Sequence, residues 1–364
     1  MAGILTVDTI QSDSSYASTL NVASKMNFAA GMQIGGQDTT FGGMRNRVIN
    51  GAMSIAQYGT STTVALGSNV GYACDRFRCD SSVGTAITAA QSTSVVPTGF
   101  TYSLSYTAGT GTTAAADNSE IVHFIEGYNI ADLGWGTANA QSVTLSFWAR
   151  SSLTGSFGLI LENSDASAQY LTTYSLPVAN TWTKITLTIS APTIGTWLST
   201  NGRGIGIRWD MGVGTTNSGA STNAWNSVGV SSKVGVTGTV KITQNTGATF
   251  YITGVQLEKG SAASAFEQLH YGHILTLCQR YYETGQIVRY GGPTHVSQGN
   301  EFSQTFLVSK RAAPTITYAS TSLTTNIVSI GSSNITTSGF VAVFFSNATG
   351  YGVGQGTMTA SIEL

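Results

Sequence analysis

Apolar and polar positions alternate with period two through residues 20–34. Leu20, Val22, Met26, Phe28, Met32 and Ile34 fall on even positions, and Asn21, Lys25, Asn27 and Gln33 on odd ones. This periodicity predicts a half-buried strand, which at about 3.3 Å per residue would reach roughly 50 Å. Strands of ordinary globular sheets are shorter. A lone ribbon cannot bury its own apolar face, so the segment is expected to pair with identical neighbours or to dock on a partner. The alternative is two ordinary short strands broken near Ser24 and packed on the first domain.

From about residue 45 to 268 the pattern becomes many short β segments separated by Gly, Ser, Asn and Thr. In SVTLSFWAR (142–150) Val143, Leu145 and Phe147 share one face; in TWTKITLTIS (181–190) Ile185, Leu187 and Ile189 do; in GIGIRWD (204–210) Ile205, Ile207 and Trp209 do. Such segments with turn signals between them predict a β-sandwich. In TFYITGVQLE the apolar phase moves from Phe250 and Ile252 to Val255 and Leu257 across Gly254, which predicts a bulge or bend. In RNRVINGAMSIAQ (45–57) Val48, Met53 and Ile55 can enter a core. Asn50-Gly51 is a turn dipeptide there, and Arg45 and Arg47 flank a solvated edge.

One substantial helix is expected, in QLHYGHILTLCQRYYE (268–283). Tyr271, Ile274, Leu275, Cys278 and Tyr281 or Tyr282 form an amphipathic stripe, which could pack on the sandwich or form a seam between subunits. The remaining residues are β-like, and no Asp, Glu, Lys, Arg or His occurs from 312 to 362. With Phe340, Phe344, Phe345 and Tyr351, that stretch would make a sticky monomer surface, so oligomeric burial or a terminal binding surface is expected. The organisation is therefore a leader (1–44), a sandwich (45–268) and a helix followed by a small β-rich domain (269–364).

Composition narrows the function. Charged residues are 9% of the 364, and Gly numbers 43, so Ser, Thr, Asn and Gln must cover the surface. A net charge of -1 provides no electrostatic footprint for nucleic acid. No apolar run approaches a membrane span, and a secretion signal is not expected, so the chain is taken to be made and kept soluble in a cytoplasm. Cys74, Cys79 and Cys278 lack metal-ligand spacing; CDRFRC could close a small loop if oxidised, but buried thiols are expected.

Several segments carry a resemblance. RNRVINGAMSIAQ, a YxxDRF unit (Tyr72, Asp75, Arg76, Phe77), FIEGYNIADLGWGTANAQSVTLSFWARSSLTGSF (124–157), ATFYITGVQLEKGSAASAFE (248–267) and LCQRYYE (277–283) occur in one order. Over about residues 45–283 the chain resembles tail fibre and minor tail structural proteins of tailed bacteriophages. KRAAPTITY (310–318) resembles the terminal modules of such fibres only loosely, and the leader is hardly covered. The resemblance implies an all-β, jelly-roll sandwich similar to carbohydrate-binding modules, presented in homotrimers on a virion assembled in the bacterial host cytoplasm. Its partners would be other tail or capsid proteins and a host surface glycan. RNRVINGAMSIAQ would then be where an attachment leader hands over to a binding head.

Sugar binding by a sandwich rests on aromatic faces flanked by polar groups. Trp135 in DLGWGTAN, Trp197 in IGTWLST and Trp225 in STNAWNS lie in small-polar loops and are the glycan-binding candidates; the alternative is that they plug the ends of the sandwich or sit at subunit contacts. Phe147 and Trp209 are expected in the core. Glycan hydrolysis would need two carboxylates across the scissile bond. Asp75, Glu120, Glu126, Asp132, Glu162, Asp165 and Asp210 are available but form no motif. His123, His270, His273 and His295 lack a nucleophile-elbow or metalloprotease context, and no phosphate-cradling loop occurs. His270 and His273 could share one side of the helix, but a helix-surface pair is expected there, and no calcium loop is present. No catalytic residue, metal or cofactor is assigned. A non-enzymatic receptor-binding protein is the leading reading, followed by a purely structural virion protein (head fibre, capsid decoration or tail adaptor) and then a glycan depolymerase.

Overall fold

The computed structural model describes residues 33–34, 37–38, 44–64, 71–82, 87–109, 114–227, 233–294, 299–324 and 326–364. Gln33–Ile34 pairs antiparallel with Gln37–Asp38. Leu20, Val22, Met26, Phe28 and Met32, expected in the leader strand, lie outside the described residues, as does the side chain of Ile34.

The first unit is a jelly-roll β-sandwich of two antiparallel sheets. A seven-stranded sheet runs Trp225–Ser227, Ala168–Leu176, Gly155–Glu162, Arg203–Asp210, Ser119–Glu126, Phe77–Ser81, Gly71–Cys74. A six-stranded sheet runs Thr183–Ile189, Val143–Ser151, Thr249–Lys259, Ser103–Ala108, Ile87–Ser92, Ser61–Val64. The chain crosses repeatedly between the two, so alternate residues of both sheets meet in one core. Ile205, Ile207 and Trp209 face Val143, Leu145 and Phe147 within it. Phe147 meets Trp209 edge-on at 5.8 Å and Tyr174 at 5.1 Å. Each such buried ring contributes about 2–3 kcal/mol of transfer free energy. Cys74, Cys79 and Cys278 are free thiols, all buried.

Two local features follow from the sequence punctuation. The ladder between Thr249–Lys259 and Val143–Ser151 breaks register between Thr253 and Gln256. Gly254 sits in the break with φ +62, and a Cβ there would come 2.6 Å from the Phe100 ring. At the Asn50-Gly51 turn, Asn50 has φ +61 and a Cβ on Gly51 would lie 2.0 Å from the Val255 carbonyl oxygen. Both are positions where a side-chain-free residue lets two chain segments close together.

The helix is shorter than its apolar stripe suggests. It spans Tyr271–Gln279, and Tyr282 already begins a 13-residue strand, Tyr282–Thr294. The correction has a physical cause: Tyr281 is drawn into a small core with Ile49, Ile55 and Cys278, and Tyr282 pairs with Ser361 in a sheet. Ile274 and Leu275 pack against the same core, while Tyr271 is 61% exposed.

Beyond it lies a second, smaller β unit. One three-stranded sheet has order Tyr282–Thr294, Gly350–Ser361, Thr315–Thr324; the other has order Gly299–Thr305, Gly339–Ser346, Ile327–Ser333. Ile287, Phe306, Phe340, Ala342, Phe344 and Met358 share its core. Phe340 and Phe344 are thus interior residues of this unit; Phe345 and Tyr351 remain exposed.

The motifs that carry the phage resemblance converge where the two units meet. Glu126 accepts hydrogen bonds from Arg280 at 2.6 and 2.9 Å and from the Tyr281 hydroxyl at 2.6 Å. The Arg76 guanidinium lies 3.6 Å over the Tyr281 ring and pairs with Glu363. Tyr58 stacks between Tyr72 and Tyr282, at 4.5 and 3.5 Å. Asp75 accepts from the Gln57 side chain, whose amide also donates to the Tyr282 carbonyl. Asn50 bonds the backbone of Ile55 and Asp75. RNRVINGAMSIAQ, DRF and QRYYE therefore build an inter-unit clamp.

Candidate functional site

The structure brings Trp135, Trp197 and Trp225 together. Their ring centroids are 4.6, 5.4 and 5.3 Å apart, all edge-to-face, and Tyr170 joins at 5.4 Å from Trp225. The cluster packs against one end of the sandwich core. All three indole N–H groups donate to backbone carbonyls: Trp135 to Gln141, Trp197 to Ile194 and Trp225 to Ser190. Trp135 is buried, and Trp197 and Trp225 are half-buried with their polar atoms satisfied within the protein.

A different set of aromatics lies on the outward face of the six-stranded sheet. Alternation along SVTLSFWAR sends Val143, Leu145 and Phe147 inward and turns Trp148 and Arg150 outward. Register places Tyr251 beside Arg150 and Lys184 beside Trp148. Thr183 pairs with Ala149, so Trp182 flanks Arg150 from the other side. Trp182 and Tyr251 stand 6.4 Å apart over this row, and the Arg150 guanidinium sits 5.3 Å from the Tyr251 centroid. Arg150 Nε donates to the Asn180 carbonyl, which fixes the side chain and leaves its two terminal nitrogens without a protein acceptor among the described residues. The indole nitrogens of Trp148 and Trp182, the Tyr251 hydroxyl and the Lys184 ammonium likewise have no hydrogen-bond partner among the described residues, and Lys184 is exposed.

The row continues across the sheet as small uncharged groups. Tyr251 pairs with Ser105, Ser105 with Ala90 and Ala90 with Ser61; the adjacent row is Thr249, Thr107, Thr88 and Thr63. Rings at one end and a flat hydroxyl floor beside them suit a sugar chain, whose C–H faces stack on aromatics while its hydroxyls exchange hydrogen bonds. Around Gly254 the rings of Trp148 and Phe100 close over the bulge. Phe100 also lines an open cleft of about 210 Å³ with Tyr102, Leu269, Tyr271 and Ile274, so the aromatic surface extends to the helix.

The seven candidate carboxylates lie elsewhere. On the outward face of the seven-stranded sheet, Arg208 bridges Glu120 at 2.9 Å and Glu162 at 2.8 Å. Arg78, Arg203 and Arg208 surround the Phe124 ring at 4.9, 4.8 and 5.7 Å. Burial pushes the Glu120 carboxyl up to about 7, outweighing the opposing pull of Arg208. Burial alone would raise Glu126 too, but hydrogen bonds from Arg280 and Tyr281 hold it below the usual range. Asp210 accepts from the backbone of Gly212, Val213 and Val236 and pairs with Lys241. Asp132 pairs with Arg47, Asp165 caps Ser167, and Asp75 holds Gln57. His123 is buried against Phe77, whereas His270 and His273 are exposed. Among the described residues no group of three or more His, Cys, Asp or Glu could hold a metal ion, and no helix is long and apolar enough to cross a membrane.

No protein-family model matches the chain, and no curated protein sequence does. Among solved structures it is similar to the enzymatically active domain of tailspike protein 4 of bacteriophage CBA120, with TM-score 0.31 and 14% identity over 59% of this chain and 21% of that one. A CBM4 structure matches with TM-score 0.29 and 16% identity over 58% of this chain and 99% of that one. The CBM22 and GH10 modules of a Clostridium thermocellum xylanase, complexed with xylohexaose, match with TM-score 0.28 and 14% identity over 57% and 30%. The chain thus spans about a fifth of the tailspike chain it matches. At these identities and TM-scores the likenesses carry no argument about what this chain binds or does.

Proposed function

We propose that this chain is a non-catalytic, glycan-recognising protein of a tailed-phage virion, carried as a homotrimer and joined to other virion proteins through its leader. The observation that carries the glycan reading is the outward row Trp182, Arg150, Tyr251 with Trp148 and Lys184. Its rings are partly exposed, as Trp197 and Trp225 also are, but its indole nitrogens lack protein partners among the described residues, where those of the tryptophan cluster are bonded to backbone carbonyls. Binding there is mechanistically a weak stacking contact, multiplied by trivalency through effective concentration. The non-catalytic reading is supported by the acids: each of the seven candidates is engaged by a protein donor, and Glu120 and Glu162 are bridged by one arginine rather than separated by a cleft.

A second reading, a structural protein that contacts only other virion components, is favoured by the smaller β unit. Among the described residues it holds six of the nine large apolar side chains that are exposed: Val288, Phe302, Leu307, Val328, Phe345 and Tyr351. Electron microscopy of particles labelled with antibody against this chain, paired with adsorption after antibody treatment, separates the two. Label at fibres or tail tip with blocked adsorption is expected. Label on capsid or tail tube with normal adsorption would select the structural reading.

A further inference from the structure

We propose that the ligand of the Trp182–Arg150–Tyr251 row is an acidic polysaccharide whose sugars bear carboxylates. This rests on the glycan reading above and names its substrate class. Arg150 carries the argument. Its Nε is tied to the Asn180 carbonyl and its guanidinium lies 5.3 Å from the Tyr251 centroid, so its two terminal nitrogens are held as a fork beside the Tyr251 ring with no protein acceptor among the described residues. Such a fork matches the two oxygens of a carboxylate.

Charge on the rest of the face agrees. Lys184 stands one row away beside Trp148 and is exposed. Glu258, a carboxylate on this face, is fully buried, accepts from Ser264 and Gln256, and sits opposite Thr144, at the far end of the strand from Arg150. The neighbouring rows are Ser, Thr and Ala, which add hydroxyls without charge. A chain with net charge -1 therefore carries two cations, Arg150 and Lys184, in the rows where sugar rings can stack. The same rows leave a neutral polymer only the stacking contact. A uronate chain gains the fork and the ammonium as well.

The test is calorimetric titration of the full chain with a polyuronate, with the same polymer after carboxyl reduction, and with a phosphodiester-linked glycan. The polyuronate is expected to bind on the order of tenfold more tightly than its reduced form, the size of a hydrogen bond to a charged group. Arg150→Gln and, independently, Lys184→Gln are expected to remove that preference, so that each variant binds the polyuronate and its reduced form with the same affinity. Lys184 is exposed, so its variant reads the charge effect even if Arg150→Gln is unstable. Equal binding of polyuronate and reduced polymer overturns the acidic assignment and leaves the glycan reading standing. Tighter binding of the phosphodiester polymer overturns the carboxylate assignment. Binding of none of the three overturns both.

Discussion

Trp135 and Trp182 are both indoles near loops of a charge-poor sandwich, yet their surroundings assign them different work. Trp135 is 6% exposed, enclosed by two other indoles and bonded to the Gln141 carbonyl. Trp135→Ala is expected to cost about 3–5 kcal/mol in urea or thermal unfolding, the range for removing a packed aromatic. Trp182→Ala removes a half-exposed ring, so its stability cost is expected within about 1 kcal/mol while sugar binding weakens. Glu120 supplies a pH effect. Its folded-state value of about 7 lies above the ordinary 4.5, so it contributes stability that is fully present below about 4.5 and is lost as pH rises through about 7. Unfolding free energies measured from pH 4 to 8 should therefore fall for the wild type relative to Glu120→Gln across that window.

At the scale of elements, alternation made most strands legible. The inward set Val143, Leu145, Phe147, Ile205, Ile207 and Trp209 follows directly from period two, as does the bulge at Gly254. The same period turns Trp148 and Arg150 outward, a signal already present in SVTLSFWAR. What the sequence could not show is that Trp182 and Tyr251, 69 positions apart, meet over Arg150, because that depends on which strands become neighbours. That the three loop tryptophans meet was hidden for the same reason: the carbonyls of Gln141, Ile194 and Ser190 that hold them come from turns whose placement is set by tertiary packing. The helix ended early because Tyr281 and Tyr282 have better partners in the clamp than in another turn of helix. Breaking that clamp with Glu126→Ala leaves the Arg280 guanidinium without its carboxylate. Calorimetry is expected to resolve two unfolding transitions for that variant where the wild type shows one, with a loss on the order of 3 kcal/mol.

At the scale of the whole molecule, a sandwich and a smaller β unit are held in fixed relation by residues that also carry the phage resemblance. Those motifs thus report an architectural joint, and the proposed sugar-binding surface lies on less distinctive strand residues. A homotrimer would bring three copies of the aromatic row to one particle site, and light scattering should then report three times 37.9 kDa. A monomer would leave the exposed Phe345 and Tyr351 without the expected cover. The central claim is that sugar binds at the outward row without being cleaved. It is tested most directly by titrating wild-type and Trp182→Ala/Tyr251→Ala chains against a panel of bacterial surface polysaccharides while monitoring release of reducing ends. At least one polysaccharide should bind the wild type, the double variant should bind it ten-fold or more weakly, and no reducing ends should appear. Equal binding by both chains, no binding to any polysaccharide, or steady release of reducing ends would contradict the account.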